Sequence, residues 1–256
     1  MTAATGTMLA TARIVARATG TGTTSLPELR SAVPIVLRRT GGPGPGALVH
    51  LVGGAAGPLG GDRLRLEIVV GPGAVLGIRS VAATVVLPGR TGEPSAWDID
   101  VRVEAGGLLD YAPEPMVAAA GAHHLTRTRI DLAEGAGLRW REELVCGRHG
   151  EEPGTARTEL MVRHDGRPLL AHALTVGPSA PHWNTAGVLG DARAVGTVIY
   201  AGTEVAHAPP AGAGRNLVVS ALEGPGVLVT AVAADALSLR RALDKIGCGE
   251  APATAH

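Results

Sequence analysis

Arg63-Leu64-Arg65-Leu66-Glu67-Ile68-Val69-Val70 sets charged residues against apolar ones at every second position. That is the period of a β-strand with one face in a core and the other in water. Gly71-Pro72-Gly73 then turns the chain into a second extended run over residues 74–79. Asp98-Ile99-Asp100-Val101-Arg102-Val103-Glu104 alternates as clearly, and Ala105-Gly106-Gly107 closes it. The same reading extends to 124–132, 138–146, 156–163, 169–176, 217–222 and 227–232. Short strands between tight turns predict a mostly β protein, a sandwich, barrel or stacked-sheet domain.

Composition supports this outline. The 256 residues include 37 Gly and 18 Pro, so turns are frequent and long helices few. Hydrophobic residues make up 45% and mean hydropathy is +0.21, enough apolar surface to offset the entropy of ordering. There is no Phe, so Val, Leu, Ile and Ala must fill the core around Trp97, Trp140, Trp183, Tyr111 and Tyr200. Charges balance at 23 against 23, which argues against nucleic acid or an acidic membrane as partner. Residues 40–61 and 168–190 carry no Asp, Glu, Lys or Arg, but Gly and Pro interrupt both. Neither reads as a membrane span. Two distant cysteines, Cys146 and Cys248, and no secretory signal predict a reducing cytoplasm.

One helix is predicted near the C-terminus, over residues 236–246. Asp235 caps it, Leu239, Leu243 and Ile246 share a face, and Gly247 stops it. A second short helix is expected at 183–189, a loop at 211–215 and a frayed tail at 250–256. No linker divides the chain, so residues 1–256 read as a single domain.

Catalytic and ligand motifs are sparse. Lys245 is the only lysine and no phosphate-loop motif surrounds it. Gly42-Pro43-Gly44-Pro45-Gly46 has no helix behind it to bind a pyrophosphate. His123 and His124 are adjacent on a strand and must point to opposite faces. Cys146 and His149 could give at most half of a soft metal site. No Ser stands in a nucleophile elbow. Glu142-Glu143 and Glu151-Glu152 read as charge pairs on an exposed rim. The residues alone thus suggest a binding or scaffolding protein, with no catalytic residue and no stable metal site.

Several segments in order resemble the urease accessory protein UreD family, called UreH in some bacteria. They are Gly57-Pro58-Leu59-Gly60-Gly61-Asp62-Arg63-Leu64; Arg79-Ser80-Val81-Ala82-Ala83-Thr84; Leu109-Asp110-Tyr111-Ala112-Pro113-Glu114-Pro115; and Glu142 to Gly147-Arg148 with Gly150-Glu151 after it. Residues 24–38 and 219–222 look like the family's opening and closing strands. The chain departs from the pattern at Ala56 for Gly, Val85 for Lys, Val86 and Leu87 for aromatic residues, and Asp110 for Glu.

The resemblance implies a many-stranded stacked-sheet scaffold with about two helices and no catalysis of its own. It implies binding to apo-urease and to UreF, which recruits the GTPase UreG, with delivery of nickel to urease. Nickel would travel through an internal passage, with bicarbonate or carbon dioxide completing its coordination, so transient nickel and no tightly bound cofactor is expected. Within the matched motifs, Asp62, Ser80, Asp110 and Glu142 are the candidate passage lining. Gly60, Gly61, Ala83, Thr84, Tyr111, Pro113, Gly147 and Arg148 are candidate structural positions. Asp62 could instead cap the Gly-Gly turn, and Glu142 could pair with Arg148. The C-terminal helix is a candidate contact for UreF, although core packing is the favoured explanation of its apolar stripe. The alternative from another class is a β-sheet metalloenzyme or metal-binding protein using His123, Asp110 or Glu142.

Overall fold

The computed structural model describes residues 7–41, 44–90 and 92–247, and the side chains of these up to residue 245. Cys248, the tail at 250–256, the side chain of Ile246 and part of the Gly42–Gly46 run lie outside the described residues. The strands, in chain order, are β1 (Leu9–Ala18), β2 (Thr24–Arg30), β3 (Ile35–Thr40), β4 (Ala47–Gly53), β5 (Arg63–Val70), β6 (Val75–Ser80), β7 (Thr84–Val86), β8 (Ser95–Val103) and β9 (Leu108–Tyr111). There follow β10 (Met116–Ala118), β11 (His123–Leu132), β12 (Gly137–Cys146), β13 (Thr155–His164), β14 (Arg167–Val176), β15 (Ala194–Gly202), β16 (Gly212–Ala213), β17 (Leu217–Ala221) and β18 (Gly226–Ala233). One helix, α1 (Ala236–Gly247), ends the described chain.

Two sheets result. The first has the order β14-β13-β11-β8-β5-β1-β2, the second β16-β17-β18-β15-β12-β9-β6-β4-β3. From β5 to β13 the chain alternates between them, β5 to β6, β8 to β9 and β11 to β12. Successive coils therefore stack in parallel register, β5 on β8 on β11 on β13 in the first sheet and β6 on β9 on β12 in the second. The fold is a short solenoid of stacked sheets. At all four ends of these parallel ladders the direction reverses: β2 on β1, β14 on β13, β3 on β4 and β15 on β12 are antiparallel.

The alternating stretch behaves as its period requires. Leu64, Leu66, Ile68 and Val70 are buried between the sheets, while Arg63 and Arg65 face out. The outer face of the first sheet is a parallel surface without a covering layer, and charge makes it stable in water. Glu67 holds Arg13 at 2.6 Å and Asp100 holds Arg65 at 2.8 Å, row by row across the strands.

The second sheet is covered on both faces near β15, by the first sheet and by α1. Leu239 and Leu243 of the helix pack on Ala194, Val198, Tyr200 and Val229. Asp235 caps the helix through the Ser238 N–H at 2.7 Å, as its place before the apolar run predicts.

Two expectations need correction. Residues 183–189 form consecutive turns, not a helix, and a short 3-10 segment forms at Thr203–His207 instead. Gly187 and Gly190 close by explain this, since neither favours helical continuation. Residues 211–215 contain the two-residue strand β16, paired with β17.

Candidate functional site

The polar heart of the molecule lies between the sheets. β11 turns His124, Thr126 and Thr128 inward, and β12 turns Trp140, Glu142 and Leu144 to meet them. A cavity of about 440 Å³ lies here, room for a file of waters. Glu142, Thr126, Thr158, His172 and Thr197 put polar groups on its walls, and Trp97 and Tyr111 add aromatic surface.

Glu142 is its chemical centre. Oε1 accepts the Trp140 indole N–H at 2.8 Å and the Thr128 hydroxyl at 3.0 Å. Oε2 has no hydrogen-bond partner among the described residues, and no described cation pairs with the carboxylate. Burial pushes its pKa up, and the two donated hydrogen bonds only partly offset that. The expected rim pair is thus corrected. Glu142 faces the cavity and Glu143, its side chain wholly buried, faces α1. Alternation told that the two diverge, but not that both faces of the sheet are covered here.

Around this centre the interior is arranged in short relays. His124 contacts the Ser95 hydroxyl through Nδ1 at 2.8 Å and the Thr126 hydroxyl through Nε2 at 3.1 Å. Burial lowers its pKa to about 4, so the ring is neutral at pH 7. Burial raises the Cys146 thiol to about 11 despite Arg193 nearby, which leaves it an inert core residue. The buried Trp97 indole N–H, on the cavity wall, has no acceptor among the described residues.

The four candidate lining residues separate. Ser80 and Glu142 lie on the cavity. Ser80 Oγ accepts the Glu114 N–H at 2.8 Å and donates to the Ala82 carbonyl at 3.0 Å. Asp110 points the other way, onto the outer face of the second sheet, where Arg79 and Arg139 hold its carboxylate. Asp62 is buried beside the Gly57–Gly61 turn. Oδ2 accepts the Leu59 N–H and Oδ1 the Met8 N–H, both at 2.9 Å. It therefore fastens the turn to the chain entering β1, the capping role its position allowed. Asp62→Ala leaves two backbone donors unmatched and is expected to cost roughly 2 kcal/mol; urea unfolding of the variant measures it.

The structural candidates have distinct places. A Cβ on Gly60 would stand 2.5 Å from the Gly89 nitrogen, so close approach of two backbones demands glycine there. Gly61 and Gly147 have φ of 96° and 83°, which favours glycine. Tyr111 stacks on Trp140 with centroids 3.7 Å apart. Ala83, Thr84 and Pro113 lie on the cavity wall. Arg148 pairs with Glu151 at 2.6 Å, not with Glu142. His123, Asp110 and Glu142 lie on three different faces and cannot bind one ion together. Among the described residues no three His, Cys, Asp or Glu side chains cluster to hold a metal. No described helix is long and apolar enough to cross a membrane.

Residues missed in the sequence are mainly on α1 and β12. Arg240 and Arg141 form ion pairs with Glu143, and their signal, charge on an otherwise apolar helix face and strand, is legible only once the helix is docked.

The description "UreD urease accessory protein" belongs to the family model that matches residues 9–249. A urease accessory protein UreD from Parafrankia sp. is 45% identical, over 94% of this chain and 88% of that protein. The protein of the same name from Streptomyces avermitilis is also 45% identical, over 92% and 95%. That from Streptomyces coelicolor is 42% identical, over 95% and 97%.

Proposed function

Because this chain belongs to the UreD family of urease accessory proteins, whose role is in urease maturation, we propose that it acts as a non-catalytic scaffold in the cytoplasm. It binds apo-urease and UreF, which brings the GTPase UreG, and nickel crosses it as cargo through the cavity between the sheets. One observation carries the transit reading. An interior carboxylate without a counter-ion, Glu142, turns a free oxygen toward a cavity whose inward-facing strands otherwise offer hydroxyls and an imidazole, while Glu114 and Glu143 at its edge are held by Arg240. Hard oxygen donors suit a hydrated divalent ion, and one carboxylate with scattered hydroxyls holds it weakly enough to release. A resident centre would need a fuller ligand set.

Co-expression of the urease subunits, UreF and UreG with and without this chain tests the scaffold role, with urease activity and nickel content as readouts. Active, nickel-loaded urease is expected only when the chain is present. Glu142→Gln tests the route. The amide oxygen still accepts from Trp140 and Thr128, so the fold is retained, while the negative charge is gone. Urease activation is expected to fall at least tenfold with undiminished binding to the other accessory proteins. Full activation by the variant would remove Glu142 from the route.

A further inference from the structure

The second sheet has an interruption. β12 pairs with β9 as far as Trp140 opposite Tyr111, and with β10 only from Leu144 opposite Met116. Arg141, Glu142 and Glu143 have no ladder partner on that side, because residues 112–115 leave the sheet between β9 and β10. The neighbouring coil does the same between β6 and β7, at residues 81–83. The two bows lie side by side, tied by the Glu114 N–H on Ser80 Oγ. A slot therefore crosses the sheet directly beside Glu142. The cavity reaches it, since Val81, Ala83, Pro113, Glu114 and Glu143 all line the cavity. On the outer face, Ala83, Val85 and Glu114 also line a groove completed by Leu237 and Arg240 of α1.

What separates cavity from groove is a set of ion pairs. Arg240 reaches Glu114 at 2.6 Å and Glu143 at 3.2 Å, one from each side of the slot. Arg141 pairs with Glu143 at 2.7 Å and with Asp244 of the helix at 2.6 Å. Glu143 has a wholly buried side chain, yet its Oε2 has no hydrogen-bond partner among the described residues. A buried carboxylate oxygen left unmatched costs free energy that an apolar plug at the same place would not. The outer end of the slot, at Val81 and Ala82, is exposed, with no such bridge among the described residues.

We propose that the slot is a mouth of the cavity, opening through the second sheet, and that Arg240 is its shutter: the guanidinium spans Glu114 and Glu143 and closes the end beside Glu142. Displacing the N-terminal half of α1 withdraws the shutter and leaves Glu114 without its arginine, facing a Glu143 that keeps only Arg141, an opening that favours a cation over an anion. This rests on the transit reading for its cargo, but not for its geometry.

Thiol labelling tests the geometry without nickel. Thr197, on the cavity wall opposite Glu142 in the β12–β15 register, is replaced by Cys as reporter. The buried Cys146, off the cavity, is the internal control. With a small cationic methanethiosulfonate reagent, Arg240→Gln is expected to speed labelling at position 197 about tenfold and to leave Cys146 unchanged. Arg240→Lys, which restores the charge but not the fork, is expected to fall between. An unchanged rate at position 197 overturns the shutter. So does an equal rise at both thiols, which would mean that the helix has merely loosened. If position 197 alone responds but Glu142→Gln activates urease fully, the shutter stands and the transit reading falls.

Discussion

Trp140→Ala is expected to lower the unfolding free energy by about 4 kcal/mol, within the range for deleting a large buried aromatic side chain. Trp140 is wholly buried in the main core, stacks on Tyr111 at an interplanar angle of 6°, and donates its indole N–H to Glu142. The substitution therefore opens a void, removes a stacking partner and strips one of two donors from a buried carboxylate. Trp140→Phe separates these effects. It keeps the stack and most of the volume but loses the N–H, and should cost about 1–2 kcal/mol. Urea unfolding at pH 7 measures both. A loss under 1 kcal/mol for the alanine variant would show that the two sheets close over the gap, and that the Tyr111–Trp140 pair does not set their spacing.

Acidification is expected to weaken the protein through His124. In the unfolded chain the imidazole takes up a proton near pH 6.5, whereas burial holds the folded value to about 4. Between these values the unfolded state binds a proton that the folded state refuses, so stability falls as pH drops through the window. A difference of two to three pH units corresponds to about 3 kcal/mol. The contribution is complete above pH 6.5 and is lost by pH 4. Urea midpoints at pH 7, 6, 5 and 4 show the slope, and His124→Gln, which cannot charge, should abolish that part of it. A wild-type curve as flat as the variant's would mean that the Ser95–His124–Thr126 relay opens to water and accepts the charge.

Much of the fold was legible because one-sided strands write their burial into the sequence. Residues 63–70 and 98–104 alternate since water lies on one face and the core on the other. The same logic explains what was missed. β15 reads AVGTVIYAG with almost every residue buried, because α1 covers the face that would otherwise be polar, so no period marks it. β4 fell within an uncharged stretch whose Gly and Pro obscured the strand. In the site, motif matches led to Ser80 and Glu142 on the cavity. They also led to Asp62 and Asp110, whose carboxylates are taken up by backbone N–H groups and by arginines. Sequence shows which positions are polar, but not which side of a sheet they meet. That Glu142 and Glu143 face two different buried surfaces depends on a helix about a hundred residues downstream.

The reversal of strand direction at all four ends of the parallel ladders also determines how large this object can become. A coil that stacks on its own kind offers, at either end, a template for one more, from the same chain or from another. Here each template is already occupied by a strand of opposite polarity, so a further coil of the same winding cannot continue the parallel ladder. Growth stops within the molecule. The stack has a fixed length written into the chain, and removing β14 would expose in β13 the one polarity from which a fibre could be propagated.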